Sequence, residues 1–264
     1  MRRALTIGHC DSCGASGVLA DVKVFTRHGV YGMCAVALIA AQDTYAARRV
    51  YQPAPTIVAA QVDAVAADLG VHACKVGWLR SPEAVSVVAA RIRRRHLRPV
   101  VVDPSLWSER GEAITPARTV KRLVRELLPL ATVLTVTPRE LGVLSGIPEP
   151  AERPAAMERL LALGAQSVVV EDAWGSGRAW IRTAGQTEAW AHWDPPEETP
   201  SGYGSLFSAA LAAGLALEKP LHRAVCDAVA FLQSVRHEIR DLGRGLPVLR
   251  IKGAPGPDWR ICVH

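Results

Sequence analysis

The stretch Thr199–Leu217 reads TPSGYGSLFSAALAAGLAL, and its two halves differ in texture. Pro200, Ser201, Gly202 and Gly204 are turn residues, whereas Leu206, Ala210, Ala213 and Leu217 recur at helical spacing. A glycine turn therefore runs straight into a helix N-terminus. The first amides of a helix lack intrahelical partners and carry a partial positive charge. Glycines let the backbone approach closely, so these amides can cradle an anion, most often a phosphate. Ser205 falls in the first turn, where a catalytic side chain would face that anion. An ordinary capped helix packed on a sheet has the same local pattern, and a short glycine motif does not separate the two.

Upstream of this stretch, strands and helices alternate. Ala4–Ile7 reads as a strand, Gly8–Gly17 as a glycine-bearing loop, and Val18–His28 as a helix with Leu19, Val22 and Phe25 on one face. Met33–Ala41 reads as a buried strand leading to Gln42, and Arg48–Gln52 as a short strand. Pro55–Leu69 reads as a helix with Ile57, Val58, Val62 and Val65 inward. Strands follow at Ala73–Trp78, Val100–Asp103, Thr132–Val136 and Ser167–Glu171. Between them lie helices at Pro82–His96, Pro116–Leu128, Arg139–Ser145 and Pro154–Leu163. Arg178–Thr183 and Glu188–Trp193 read as an antiparallel hairpin at a sheet edge, with tryptophans as edge packing. Leu221–Arg240 reads as a second long helix, and Leu246–Lys252 as a late strand or an extended tail. The residues beyond, with Pro255 and Pro257, are expected to be loosely held.

This order predicts an α/β fold: a three-layer α/β/α sandwich with a mainly parallel central sheet and a late antiparallel hairpin. No repeat or domain boundary interrupts it, so residues 1–264 are expected to form one domain. Ligands bind such sheets at the carboxyl ends of the strands. Gly8, Gln42, Gly77, Asp103 and Glu140 all fall just after strands and are expected to share one rim.

Composition narrows the partners. Of 264 residues, 31 are basic and 25 acidic, a net charge of +6 that suits anionic small substrates and is too diffuse for nucleic acid. The densest basic run, Arg91–Arg98, is expected on a solvated helix face. No apolar stretch reaches transmembrane length, and Met1-Arg2-Arg3 leads directly into a strand rather than a leader. The scattered cysteines Cys10, Cys13, Cys34, Cys74, Cys226 and Cys262 are expected to be reduced thiols in the cytoplasm. Cys10 and Cys13 form a C-x-x-C beside His9 without a second ligand pair, so no metal is expected there.

The order of motifs resembles the hydroxymethylpyrimidine and phosphomethylpyrimidine kinases of thiamine biosynthesis, with the related pyridoxal kinases, in the ribokinase-like superfamily. The likeness runs from about Ala4 to Arg240. Asp11-Ser12-Cys13-Gly14-Ala15-Ser16-Gly17-Val18-Leu19-Ala20-Asp21-Val22-Lys23 looks like the family's D-S-x-G-G-A-G-I-Q-A-D-x-K, with a different glycine count. Asp21, and Gln42 within A-x-Q-x-T, match residues that bind the aminopyrimidine. A carboxylate and an amide suit an exocyclic amine and ring nitrogens. Lys75-Val76-Gly77-Trp78-Leu79 resembles K-x-G-x-L, which lines the substrate cleft together with Gly8. Val101-Val102-Asp103-Pro104 resembles V-x-D-P, whose aspartate helps hold Mg²⁺. Thr137-Pro138-Arg139-Glu140 falls on N-x-x-E near the phosphates of ATP, whose glutamate orders metal-bound water; helix capping is the plain alternative for Asp103 or Glu140 taken alone. The resemblance thus implies Mg²⁺-ATP as cofactor, an aminopyrimidine or pyridoxal-like substrate, and a homodimer.

Two stretches depart from the family. Gly202-Tyr203-Gly204-Ser205 falls on G-T-G-C or G-T-G-D. Tyr203 replaces the threonine, which places it either to narrow the turn or to stack on a ligand. Ser205 replaces the catalytic base. Glu171-Asp172-Ala173-Trp174 falls on K-G-G-H, so Glu171 puts a negative charge where the family has a lysine. Weak ATP binding and slow transfer are therefore expected. A catalytically impaired relative that binds a pyrimidine or pyridoxal-like metabolite as a sensor is the alternative.

Overall fold

A computed structural model of the protein describes residues 1–147, 152–172, 177–185, 189–192, 194 and 200–251. Ala173, Trp174, Glu188, Trp193, Pro255, Pro257 and Cys262 lie outside the described residues. The strands and helices alternate as the sequence predicts. They are β1 (Arg3–Asp11), α1 (Gly17–Arg27), β2 (Tyr31–Gln42), β3 (Ala47–Tyr51), α2 (Pro55–Asp68), β4 (Ala73–Val76), α3 (Pro82–Arg94), β5 (Val100–Val102), α4 (Ala117–Glu126), β6 (Val133–Val136), α5 (Pro138–Ser145), α6 (Arg153–Ala162) and β7 (Ser167–Asp172). The hairpin β8 (Arg178–Thr183) and β9 (Ala189–His192) follows, then α7 (Tyr203–Ala216) and α8 (Leu221–Val235).

The nine-stranded sheet has the order β3-β2-β1-β4-β5-β6-β7-β8-β9. From β2 to β7 all neighbours are parallel, while β3 on one edge and β8–β9 on the other run antiparallel. Side chains alternate between faces along each strand. In β5, Val100 and Val102 join the core under α2–α6, and Val101 joins the core under α1, α7 and α8. Both faces are therefore covered, which is why the central strands are continuous apolar runs.

Two helix faces differ from the sequence reading. Leu19 is 41% exposed, and α1 instead buries Val18, Asp21, Val24 and Phe25. In α2, Ile57 is 55% exposed, and Val58, Ala59 and Val62 carry the contact. The second long helix also stops early. After Val235 a 3₁₀ turn (Arg236–Glu238) leads into β10 (Ile239–Arg240), which pairs antiparallel with β11 (Val248–Leu249). This ribbon reaches back to the glycine turn, where the Ser201 N–H donates to Pro247 O at 2.9 Å.

Candidate active site

A cleft of about 710 Å³ opens at the carboxyl ends of the parallel strands. Gln42, Asp103, Thr137, Glu140, Gly202 and Ser205 are among its lining residues. Gly8, Asp21, Lys75 and Gly77 are not: Gly8 is buried against Gly77, and the Asp21 and Lys75 side chains lie beneath the floor. Asp21 thus faces inward beside Lys75 rather than lying solvated on the outer face of α1, one layer below the cleft that Gln42 lines. Gln42 stands in the cleft at the end of β2, its backbone clamped by Ser12 Oγ, which donates to Gln42 O at 2.8 Å and accepts its N–H at 2.9 Å.

The glycine turn is tightly constrained. Gly202 caps α7 with φ of 79°, a conformation that disfavours any side chain. A β-carbon there would stand 2.1 Å from the Ala15 carbonyl oxygen. The turn lies directly against the loop that starts α1. The Gly202 N–H donates to Glu109 Oε1 at 2.9 Å, so a carboxylate of the same chain already sits at this helix N-terminus. Glu109 belongs to a loop closed by a bridge between Trp107 and Ala113. Arg110 Nε donates from this loop to Tyr45 O at 2.9 Å, and Arg139 stacks its guanidinium 4.3 Å from the Trp107 ring centroid. Tyr203 lines the cleft at the turn but exposes little surface for stacking. Its side chain is 1% exposed and packs with the α7–α8 core.

Beneath the turn lies a buried ion pair. Lys75 Nζ donates to Asp21 Oδ1 at 2.6 Å and to the carbonyl oxygen and Oγ of Ser205, each at 2.9 Å. Thr6 Oγ1 donates to Asp21 Oδ2 at 2.6 Å, and Ser205 Oγ lies 3.1 Å from Asp21 Oδ1. Burial raises the Asp21 carboxyl above the usual range, and the Lys75 ammonium pulls it back. Asp103, beyond β5, stands 3.9 Å from Lys75 Nζ.

The carboxylates near the rim have different tasks. Asp103 Oδ2 accepts the Ser208 hydroxyl at 2.6 Å, while Oδ1 has only a long contact of 3.5 Å with Ser105 Oγ. Its Oδ1 is thus available to a cation. Both Glu140 oxygens are engaged: Oε1 accepts the Leu106 N–H at 2.7 Å and Oε2 accepts the Thr137 N–H at 2.9 Å. The second contact completes a capping box with the Thr137 side chain. Glu140 therefore shapes the end of α5 and pins the loop after β5, and Oε1, with one lone pair unused, lines the cleft where it can still order water. Thr137 is its partner in that cap. Among the described residues no group of three His, Cys, Asp or Glu side chains could hold a metal ion alone. A magnesium ion fits here only as one bound through Asp103 with the remaining ligands from phosphate and water, which is the usual habit of that ion.

Glu171, at the end of β7, is buried, and its Oε2 has no partner among the described residues. Burial pushes its carboxyl well above the ordinary carboxylate range, and Asp103, Glu140 and Asp172 add to the effect. Both causes favour the neutral acid, which removes the charge penalty expected against a bound polyanion. A carboxyl raised in the folded state stabilises the fold below its unfolded value, near 4.5, and that contribution is lost as pH rises towards its folded value. Glu171→Gln removes this titration. In urea denaturation the variant is expected to gain stability over the parent, with a gap that widens from pH 5 to pH 8; parallel pH profiles would show that the carboxyl titrates alike in the folded and unfolded chain and is solvated.

His9 is a residue that sequence reasoning placed only beside the C-x-x-C. It lines the cleft at a register shift in β1, with Nε2 3.0 Å from Ser16 Oγ and its ring edge-on to Trp78 at 5.3 Å. Burial lowers its pKa from 6.5 to about 4, so it presents a neutral imidazole. Its Nδ1 has no partner among the described residues. The sequence signal was its position next to Gly8 at a strand end. Cys10 and Cys13 flank this region as free thiols.

Residues 11–248 match the family model for phosphomethylpyrimidine kinase. The chain is 35% identical to the hydroxymethylpyrimidine/phosphomethylpyrimidine kinase of Rhizobium meliloti, over 88% of this chain and 89% of the relative. It is 30% identical to the Salmonella typhimurium enzyme of the same description, over 92% and 94% of the two chains. Its fold is similar to that of a Bacillus subtilis pyridoxal kinase solved as an ADP complex, with a TM-score of 0.87, 28% identity and coverage of 95% and 97%. The parallel sheet, the glycine turn at the head of α7 and the cleft between them are thus those of a ribokinase-like fold, and this chain belongs to the phosphomethylpyrimidine kinase family.

Proposed function

We infer that this chain phosphorylates 4-amino-5-hydroxymethyl-2-methylpyrimidine and its phosphate with ATP, in thiamine biosynthesis, as one kinase domain. The observation that carries the reading is the cleft itself, in which the head of α7, Asp103 and Ser205 converge opposite Gln42. Gln42 offers an amide and His9 a neutral ring to the pyrimidine. The amides at the head of α7 stabilise the transferring phosphoryl group, where most of the catalysis in such reactions is positioning and electrostatics. Asp103 would hold Mg²⁺, which when bound neutralises phosphate charge. Gly202 and Gly204 keep the turn open: a β-carbon on Gly204 would stand 2.9 Å from Glu171 Oε1.

The likeness to a pyridoxal kinase makes pyridoxal a second candidate acceptor. Metabolite sensing without turnover is the competing reading of the Ser205 replacement. A homodimer and a cytoplasmic location belong to the same proposal. No helix among the described residues is long and apolar enough to cross a membrane. Ile39 and Tyr51 pair across β2 and β3 and are both exposed at the sheet edge, a surface a second copy would cover.

Steady-state assays with Mg²⁺-ATP and each of the three acceptors, alongside ADP titration calorimetry, test the reading. Turnover of the pyrimidine alcohol is expected, slow against the usual enzyme range of about 1–10³ s⁻¹ because Ser205 stands in place of the base. Ligand binding with no transfer to any acceptor would instead establish the sensor.

A further inference from the structure

The buried ion pair offers a route for a proton that Ser205 cannot retain. A neutral alcohol is a poor base by itself, because its protonated form is a strong acid that gives the proton up at once. However, the three protons of the Lys75 ammonium are all committed, to Asp21 Oδ1, Ser205 O and Ser205 Oγ. Lys75 can only donate, so it takes one lone pair of Ser205 Oγ. The hydroxyl hydrogen of Ser205 is then left to point at Asp21 Oδ1, 3.1 Å away. The other lone pair of Oγ is free for the cleft, which Ser205 lines and Asp21 does not. Asp21 Oδ2 is fixed by Thr6, so the carboxylate cannot turn away.

We propose that Ser205 and Asp21 form a proton relay for the phosphorylation of the alcohol acceptor, with Ser205 touching the substrate and Asp21 acting through it. The acceptor hydroxyl gives its proton to Ser205 Oγ as its oxygen bonds to the γ-phosphorus of ATP and the bond from that phosphorus to the β–γ bridging oxygen breaks. Ser205 passes its own proton to Asp21 Oδ1, and ADP leaves with the electron pair of the broken bond. Lys75 keeps its protons and holds both oxygens in line. After product release the proton returns through Ser205 to water. Burial, which favours a neutral Asp21, and Lys75, which favours the anion, oppose each other at this group.

The relay has a consequence that a structural role lacks. The phosphate ester accepting the second phosphoryl group has a second pKa near 6, so at neutral pH its oxygen is largely ionised and has no proton to lose. Only the alcohol step needs the relay. Ser205→Ala and Asp21→Asn are therefore expected to lower the ratio of alcohol to phosphate-ester phosphorylation by about 10²–10⁴, in kcat rather than KM. The double variant is expected to lower it no further than either single one, because the two residues act as a unit. Ser205→Ala leaves the ion pair intact and decides the matter alone if Asp21→Asn folds poorly. The inference rests on the kinase reading, and the same assays separate the two. A parent protein that phosphorylates neither acceptor overturns both. A parent that transfers normally, with variants that slow both steps equally or neither, overturns the relay alone.

Discussion

Lys75→Met is expected to lower the unfolding free energy by about 3–5 kcal/mol, the cost of leaving one partner of a buried ion pair behind. The Lys75 side chain is 1% exposed on β4, between β1 and β5. Methionine reproduces much of its apolar stem, so the loss isolates the ammonium. Asp21, also 1% exposed, would keep only Thr6 and Ser205 as donors. Its carboxyl would rise further, so the variant should recover stability as pH falls, opposite to the loss that a paired carboxylate shows in acid. Lys75→Met combined with Asp21→Asn should regain most of the difference, since a neutral pair of similar volume often replaces a buried ion pair at little cost. Urea denaturation of the parent, both single variants and the double variant closes the cycle. A single-variant loss below about 1 kcal/mol would mean the pair is solvated in solution.

Gly202→Ala is expected to lower kcat by about 10²–10³, the scale of losing one well-aimed backbone donor. The cost in stability is at least the roughly 1–2 kcal/mol of a side chain forced into a left-handed conformation, because the clash is with backbone atoms. The two effects separate because the added methyl group meets the Ala15 carbonyl oxygen at 2.1 Å, so the turn and the α1 loop must move apart. That shift re-aims the first amides of α7 while leaving the buried body of the helix in place. Stopped-flow single turnovers resolve the chemical step, and thermal denaturation reports the fold. Transfer at the parent's rate would show that the turn amides do not contact the moving phosphoryl group.

The order of elements was legible because it rests on local periodicity. The predicted strand Ser167–Glu171 and helix Arg139–Ser145 each differ from β7 and α5 by one residue at one end. The inward face of α1 was not legible. Hydrophobicity alone chose Leu19, whereas the fold turns Asp21 inward because Lys75, 54 positions away in sequence, waits there for a partner. No local pattern announces a charge buried by a distant one. For Glu140 the T-x-x-E spacing announces the capping box that the fold builds, and a water-ordering role beside it stays open. Glu171 was read as a charge. Its burial, which favours the neutral form, depends on how β7 sits beneath the turn.

The hydrogen bond from the Gly202 N–H to Glu109 makes any anion at that amide a competitor with the protein itself. A carboxylate tethered on a short loop acts at an effective concentration on the order of millimolar or above. The apparent affinity of a phosphate for that amide is then its intrinsic affinity scaled by the fraction of time Glu109 is away. Displacement also releases the loop carrying Trp107 and Arg110 from α7, leaving it held by Tyr45, Arg139 and the Glu140 contact to Leu106. Occupancy of a single backbone amide thereby becomes linked to how firmly one wall of the cleft is fastened.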